Sequence, residues 1–475
     1  MKRKITSIAL LLSTIISAGS LAQAETNKPR VFNIKDYGAV GDGDAMNTVA
    51  LQKAIDTCSE SGGGVVWIPA GKFVIGTVQI KSNVTLSLDH GAELLGSQDI
   101  KDYPVDKLSR AREGQSQCLL YAKDATNIRF EGLGIIDGRG THVTFPRSRP
   151  GQRGDNRPRL FRFENCENLT FSGLTYKNPA FWGIHLVDCK NIHFNAITVR
   201  FRNNNFNNDG LDLDGCENVL VENCDIDSGD DAICLKSSRN PCRNIVVRDC
   251  RLASNTAALK FGASSRGGFI DVKVFNCYFY DSPMGAIKLE LVDGGRMENI
   301  NISRIVMDKV GCPIFIRLGD RGNNFGKGGK VPVGTLKNVR ISDVVAEVTV
   351  EDRVKRMTVY RRLKLDTTPG VTDNEKSKVG PIMITGIPGH YVEDVILENI
   401  KISFPGHGTE EDAKRVVPED EDRYPEQFYF GVLPAWGAYI RHAKNIQFKN
   451  VELTLRGADA RKKIVLDDVE GFVEK

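Results

Sequence analysis

Asp209, Asp230 and Asp231 are the residues of this 475-residue chain whose types and spacing point most directly to chemistry. Asp209 stands two positions before the triplet Leu211-Asp212-Leu213, and Asp231 stands two before Ile233-Cys234-Leu235, with Asp230 beside it. If the two triplets stack as neighbouring strands about 4.8 Å apart, three carboxylates meet on one surface. Like charges so close raise at least one pKa, which leaves a protonated acid beside ionised neighbours. Glycoside hydrolysis needs that pairing: a carboxylic acid protonates the leaving oxygen while a carboxylate activates water or attacks the sugar. Asp212, Asp214, Asp225 and Asp227, taken singly, read instead as turn caps.

The elements that must position these groups are short apolar triplets. They are Ile184-His185-Leu186, Leu211-Asp212-Leu213, Ile233-Cys234-Leu235, Leu259-Lys260-Phe261, Ile287-Lys288-Leu289 and Ile314-Phe315-Ile316, at intervals of 27, 22, 26, 28 and 27 residues. Strand side chains alternate faces, so the outer two of each triplet point inward and the middle one outward. An Asn followed by an aliphatic residue recurs in phase at Asn168, Asn191, Asn218, Asn244, Asn299, Asn338 and Asn445. Asn suits a fixed corner because it tolerates the left-handed conformation and its amide can hydrogen-bond an adjacent coil. The two recurrences predict an all-β right-handed parallel β-helix, a solenoid with one coil per roughly 22 to 28 residues.

Cysteines follow the same frame. Cys166, Cys189, Cys216 and Cys242 lie two residues before a corner Asn, and Cys224 and Cys250 six after it; Cys277 keeps phase if Asp271-Val272 is a degenerate corner. These columns read as stacked, buried small side chains. The paired short spacings of a zinc site are absent. The 11 cysteines leave at least one thiol unpaired, and connectivity for any disulfides stays open.

Residues 1–24 read as a signal peptide, with Lys2-Arg3-Lys4, an apolar run from Ile8 to Leu21 and Ala22-Gln23-Ala24 as a cleavage site. The expectation is an exported protein, periplasmic or extracellular, with no membrane insertion. Without the three leader cations the formal charge falls from +4 to +1, which argues against nucleic acid as a partner. Basic residues crowd one loop (Arg147, Arg149, Arg153, Arg157, Arg159), as a solvated loop or a grip on acidic or sulfated sugar. Residues 25–475 read as a single solenoid domain with a cap region at 25–80. Its helix is expected over 47–59, with Leu51, Ala54, Ile55 and Cys58 on one face and Asn47 as N-cap. Insertions are expected at 139–159, 319–332, 366–380 and 405–430, where they would wall a cleft.

Asn207-Asn208-Asp209-Gly210 and Ser228-Gly229-Asp230-Asp231 resemble the Asn-Thr-Asp and Gly-Asp-Asp motifs of glycoside hydrolase family 28, the polygalacturonase-like pectinases. Tyr37-Gly38-Ala39-Val40-Gly41-Asp42-Gly43, Ile136-Asp137-Gly138-Arg139-Gly140 and Asn178-Pro179-Ala180-Phe181-Trp182 with His185 are similar to its other landmarks. The resemblance implies that Asp230 is the general acid, that Asp209 and Asp231 hold the water of an inverting displacement, and that Asn207 orients them. It implies a polysaccharide substrate of pectic type and neither metal nor organic cofactor.

The chain departs from the family pattern on the next two coils. Ala257 stands where the resemblance places a His, Lys288 where it places an Arg and Glu290 where it places a Lys; that Arg and Lys would hold the carboxylate of galacturonic acid. Lys260 is the expected substitute cation, and Glu290 would repel a uronate but could hydrogen-bond the hydroxyls of a neutral sugar. His185 shares the outward column, and Trp182 is expected either to stack on a pyranose ring or to pack inside the coil. Two rivals remain at this point. One is a polysaccharide lyase of the same architecture using Ca²⁺ on the Asp cluster; the other is a carbohydrate-binding solenoid that has lost its chemistry.

Overall fold

The computed structural model describes residues 29–104, 117–146, 156–202, 206–324, 329, 331–349 and 380–475. The leader, residues Arg147, Arg149 and Arg153 of the basic loop, and 366–379 of one insertion lie outside the described residues. Within them the triplets form parallel strands in the expected register. Ile184 lies opposite Leu211, Leu211 opposite Ile233, Ile233 opposite Leu259, Leu259 opposite Ile287 and Ile287 opposite Ile314. Their outer side chains are all fully enclosed, because the stack leaves the inward face no solvent.

Each coil adds a second strand, as in Lys190–Asn195, Glu217–Glu222 and Cys242–Arg248, and a short third, as in Thr198–Arg200, Asp225–Ser228 and Arg251–Ser254. From Phe269–Ser282 onward the second and third merge into one long strand per coil. The result is a right-handed parallel β-helix around one continuous apolar core that runs from Ile34 to Leu453. Stacked rings thread it, with Phe130 on Phe171 at 5.4 Å and Phe171 on Phe194 at 4.6 Å.

The corner Asn residues form the ladder that their periodicity predicts. All adopt positive φ, from 54° at Asn191 and Asn244 to 60° at Asn299. Each amide donates to the side-chain oxygen of a corner residue on an earlier coil, as from Asn191 to Asn168 at 3.1 Å, Asn218 to Asn191 at 3.0 Å and Asn244 to Asn218 at 2.8 Å. Asp271 fills the degenerate corner with φ 57° and accepts from Asn299 at 2.8 Å. The eleven cysteines are buried free thiols.

At the N-terminal end helix α1 (Thr48–Glu60) covers the first coil with Leu51, Ala54, Ile55 and Cys58, none of them exposed. Enclosing a Leu or Ile side chain stabilises by about 1.5–3 kcal/mol, which fixes the cap. Asn47 precedes the helix without capping it. Its side chain is turned to the 40–47 loop instead, accepting from Val40 N at 2.7 Å and donating to Val40 O at 3.0 Å and Ala45 O at 2.6 Å.

The segment 405–434 folds back over the outward face of the later coils. Val417, Phe430 and Leu433 pack there on Phe315, Met383 and Tyr439, so outward-pointing residues are roofed rather than solvated. Substituting Asn218→Ala should lower stability by about 1–2 kcal/mol, because an Ala side chain is strained at φ 56° and the ladder breaks. Asn218→Gly should cost less, since it keeps the conformation and loses only the amide; denaturant midpoints measure both.

Candidate active site

The turns that precede Leu211 and Ile233 bring the aspartates together. One carboxylate oxygen from each of Asp209, Asp230 and Asp231 lies within 4.8 Å of the others. The stacking is close enough to require glycine at two positions. A Cβ on Gly229 would sit 2.2 Å from the Asn208 side chain, and one on Gly210 would sit 2.4 Å from Ala232 O. Asp209 and Asp231 form the floor, each 3% exposed, while Asp230 and Asn207 are half-buried.

The environment drives these carboxyls apart. Burial and the charge of Asp231 push Asp230 up to about 6. Burial also pushes Asp231 up, but Lys260, Lys288 and the Thr256 hydroxyl pull harder and hold it below the ordinary value. Burial, with Asp212, Asp230 and Asp231 nearby, raises Asp209 well above the usual range. Asp209 Oδ1 meets no hydrogen-bond partner among the described residues. One group able to give a proton thus stands beside one that stays ionised, the division that acid–base cleavage needs.

Lys260 Nζ lies 3.3 Å from Asp231, 3.6 Å from Glu426 and 3.9 Å from Glu290, and donates to Tyr424 Oη at 3.1 Å. Lys288, fully buried, pairs with Glu426. Two ammonium groups are therefore balanced by Asp231 and by a glutamate from the 405–434 segment. Glu290 is also fully buried, and neither of its oxygens has a hydrogen-bond partner among the described residues. Burial, reinforced by Glu426 and only partly offset by Lys260, pushes its carboxyl up to about 8. The expected uronate grip is thus not open at this point: its cations are paired and enclosed. A cation could reach the three carboxylate oxygens, but the Asp231 side is already faced by Lys260.

On the N-terminal side Asn207 connects the acid to a buried arginine. Its amide faces Asp230 Oδ2 at 3.4 Å, and its Oδ1 accepts from Arg157 Nη2 at 3.1 Å. Arg157 and Arg159, each 1% exposed, lie over the Phe181 ring at 4.7 and 4.9 Å, which corrects the reading of these two as a solvated loop. Trp182 offers no face to a sugar: Phe181 stacks on it at 5.2 Å, with Arg159 at 4.8 Å and Lys236 at 4.5 Å from its ring. Nor does His185 reach a ligand, since it is 2% exposed, contacts Arg162 at 3.0 Å and meets Trp182 edge-on at 4.9 Å. Outward strand position was correct for His185, Lys260 and Lys288; the roof over them was not legible.

Asp214 caps a turn as expected, accepting from Ser238 N at 2.8 Å and Ser238 Oγ at 2.7 Å. Asp225 and Asp227 pair with Arg200 and Arg202. Asp212 instead lies fully buried in the outward column, 3.6 Å from Lys236. Sequence reasoning missed Thr256, Glu426, Lys236 and the role of Arg157. Thr256 is one residue before the Ala257 slot and could have been found by extending the column alignment one position. Glu426 carries no periodic signal.

Fold and site together define a parallel β-helix with an acidic cluster at one strand edge. Residues 58–361 match glycosyl hydrolases family 28, and the chain belongs to that family. It is 30% identical over 338 residues to a probable polygalacturonase of Vitis vinifera, covering 66% of this chain and 68% of the relative. It is 28% identical over 328 residues to an exo-poly-alpha-D-galacturonosidase of Dickeya chrysanthemi, covering 58% of this chain and 54% of that one. The fold matches a family 28 exopolygalacturonase structure from Yersinia enterocolitica with a TM-score of 0.67 at 21% identity, covering 94% of this chain and 78% of the other. The chain is thus a glycoside hydrolase.

Glu290 yields a pH prediction. Its folded pKa of about 8 lies above the ordinary glutamate value, so its contribution to stability is full below about pH 4.3 and is lost as pH rises toward 8. Glu290→Gln keeps the shape and removes the ionisation. Relative to the native chain, the variant should gain stability between pH 5 and 8, by on the order of 2–4 kcal/mol, in melting or denaturant curves.

Proposed function

We propose that the chain hydrolyses glycosidic bonds of a galacturonate-containing pectic polysaccharide by single displacement with inversion. Asp230 gives its proton to the leaving oxygen. Asp231, kept ionised by Lys260, takes the proton of the attacking water, and Asp209 contributes Oδ1 as a second contact to that water. Asn207, held by Arg157, orients Asp230. The observation that carries this reading is the convergence of three carboxylates, one oxygen of each of Asp209, Asp230 and Asp231 within 4.8 Å of the others, with the Lys260 ammonium 3.3 Å from Asp231.

Carboxyls this close fit a nucleophile-and-acid pair on separation alone, for which about 5–5.5 Å is usual. The third carboxyl alters that inference. With Asp209 and Asp231 on adjacent coils, two groups can hold one water between them while Asp230 serves as acid. The paired state of Lys260 and Lys288 bears on the substrate: the sugar beside them finds no spare positive charge. A backbone that alternates galacturonate with a neutral sugar therefore fits better than unbroken galacturonan. We also read the protein as exported, on its leader and on the location of such polymers; no helix among the described residues is long and apolar enough to cross a membrane.

Asp230→Asn should reduce turnover at least about 10³-fold while leaving the melting temperature near that of the native chain, because it removes the acid and keeps the shape. Unchanged release of reducing ends would remove Asp230 from the mechanism, and unsaturated product ends would indicate elimination instead. The first anomer seen by proton NMR should be inverted. Specificity measured as kcat/KM should favour the alternating backbone over galacturonan by about tenfold or more.

A further inference from the structure

We propose that the hydroxyl of Thr256 is a positioning group that holds the two adjacent aspartates in a singly protonated state, one proton between them. The inference rests on the hydrolase reading above and goes beyond it, because it concerns a residue outside the aspartate motifs.

Thr256 Oγ1 lies 2.9 Å from Asp230 Oδ1 and 2.7 Å from Asp231 Oδ1. A hydroxyl has one hydrogen and two lone pairs, so it can donate to only one of these oxygens. Donation to one carboxylate with the other also ionised leaves two oxygens in close contact with no hydrogen between them. The arrangement that makes both contacts hydrogen bonds is directional: one carboxylic acid donates to Thr256, and Thr256 donates to the other, ionised carboxylate. The hydroxyl therefore favours the singly protonated pair over both the doubly ionised and the doubly protonated states.

Surrounding charge selects the direction. Asp231 has Lys260 at 3.3 Å, with Lys288 and Lys236 also acting on it. Asp230 is faced by Asp231, which opposes its charge, and is favoured more weakly by Lys260 and Lys236; its Oδ2 points to the Asn207 amide at 3.4 Å. The charge settles on Asp231 and the proton on Asp230. Asp230 presents that proton to a sugar by turning about its Cβ–Cγ bond, which gives up its hydrogen bond to Thr256 and leaves the Thr256–Asp231 bond in place.

Thr256 is itself held for this task. Its backbone N–H donates to Ser254 Oγ at 2.7 Å, and Ser254 Oγ donates to Asp230 O at 2.6 Å. The hydroxyl is thus fixed to the backbone of the residue whose side chain it orders. Ala257, next in sequence, has no polar atom on its side chain, so on this coil the ordering falls to Thr256.

The test compares the native chain with Thr256→Val, which keeps the shape and deletes the hydroxyl, and Thr256→Ser, which keeps the hydroxyl. Thr256→Val should lower kcat/KM by about 10- to 100-fold and narrow the pH–rate profile. Its acid limb moves up as Asp231 loses a donor, and its alkaline limb moves down as Asp230 loses an acceptor, each by about half a unit to one unit. Thr256→Ser should restore both limbs. If Thr256→Val does not fold, Thr256→Ala is measured in its place. A lower melting temperature with both limbs unmoved would mean a structural role only and would overturn the proposal, as would a Ser variant that behaves like Val. Carboxyl titration by ¹³C NMR on aspartate-labelled protein gives the same comparison without turnover. A native chain that releases no reducing ends would defeat the hydrolase reading, and equal titration of Asp230 and Asp231 in native and Val proteins would defeat this one.

Discussion

The register between adjacent coils is the constraint from which the site follows. Leu211 opposite Ile233 and Ile233 opposite Leu259 place residues 209, 231 and 257 in one column, and no side chain in the cluster could be where it is if one coil slipped by a single residue. Such a slip would turn the enclosed triplet side chains outward, so the core enforces the register that the aspartate cluster uses. The Asn corners add a second lock. Their left-handed backbone fixes where each coil turns, and their amide ladder repeats that choice from Asn83 to Asn244. Stability and chemistry therefore share one geometric requirement.

Upon that frame the charges are arranged as a chain rather than as isolated ion pairs. Arg157 holds Asn207, Asn207 faces Asp230, Thr256 joins Asp230 to Asp231, Lys260 faces Asp231, and Glu426 joins Lys260 to Lys288. Buried charges are costly unless paired, and here the pairing of Lys260 with Asp231 also keeps Asp231 ionised. The carboxyl on the solvent side is kept able to hold a proton, while the one on the lysine side is kept ionised. Glu426 reaches the cluster from a segment more than a hundred residues later in the chain. The 405–434 segment is thus a wall of the site and also the source of the carboxylate that satisfies its lysines.

Much of this was legible in the sequence because alternation and recurrence have direct steric causes. The triplets, the corner Asn residues including the degenerate Asp271, the α1 face and the convergence of Asp209, Asp230 and Asp231 all follow from side-chain periodicity. What periodicity could not convey was covering. It assigned His185, Lys260 and Lys288 to the outward column without revealing that aromatic and acidic side chains from elsewhere enclose them. Trp182 takes neither of its two expected places: it lies outside the core of the coil, packed against Phe181, Arg159 and Lys236. Asn47 kept its place before α1 but turned its side chain to a loop, since three backbone partners there outcompete one helical N–H.

The central claim is that residues 209, 230 and 231 form one saccharide-reaching cluster. A crystal structure of the Asp230→Asn protein with a pectic oligosaccharide tests it most directly. The account predicts a glycosidic oxygen within hydrogen-bond distance of the residue 230 side chain and a water between Asp209 and Asp231. An oligosaccharide bound on another face of the solenoid, with the cluster making no contact to it, would contradict the account.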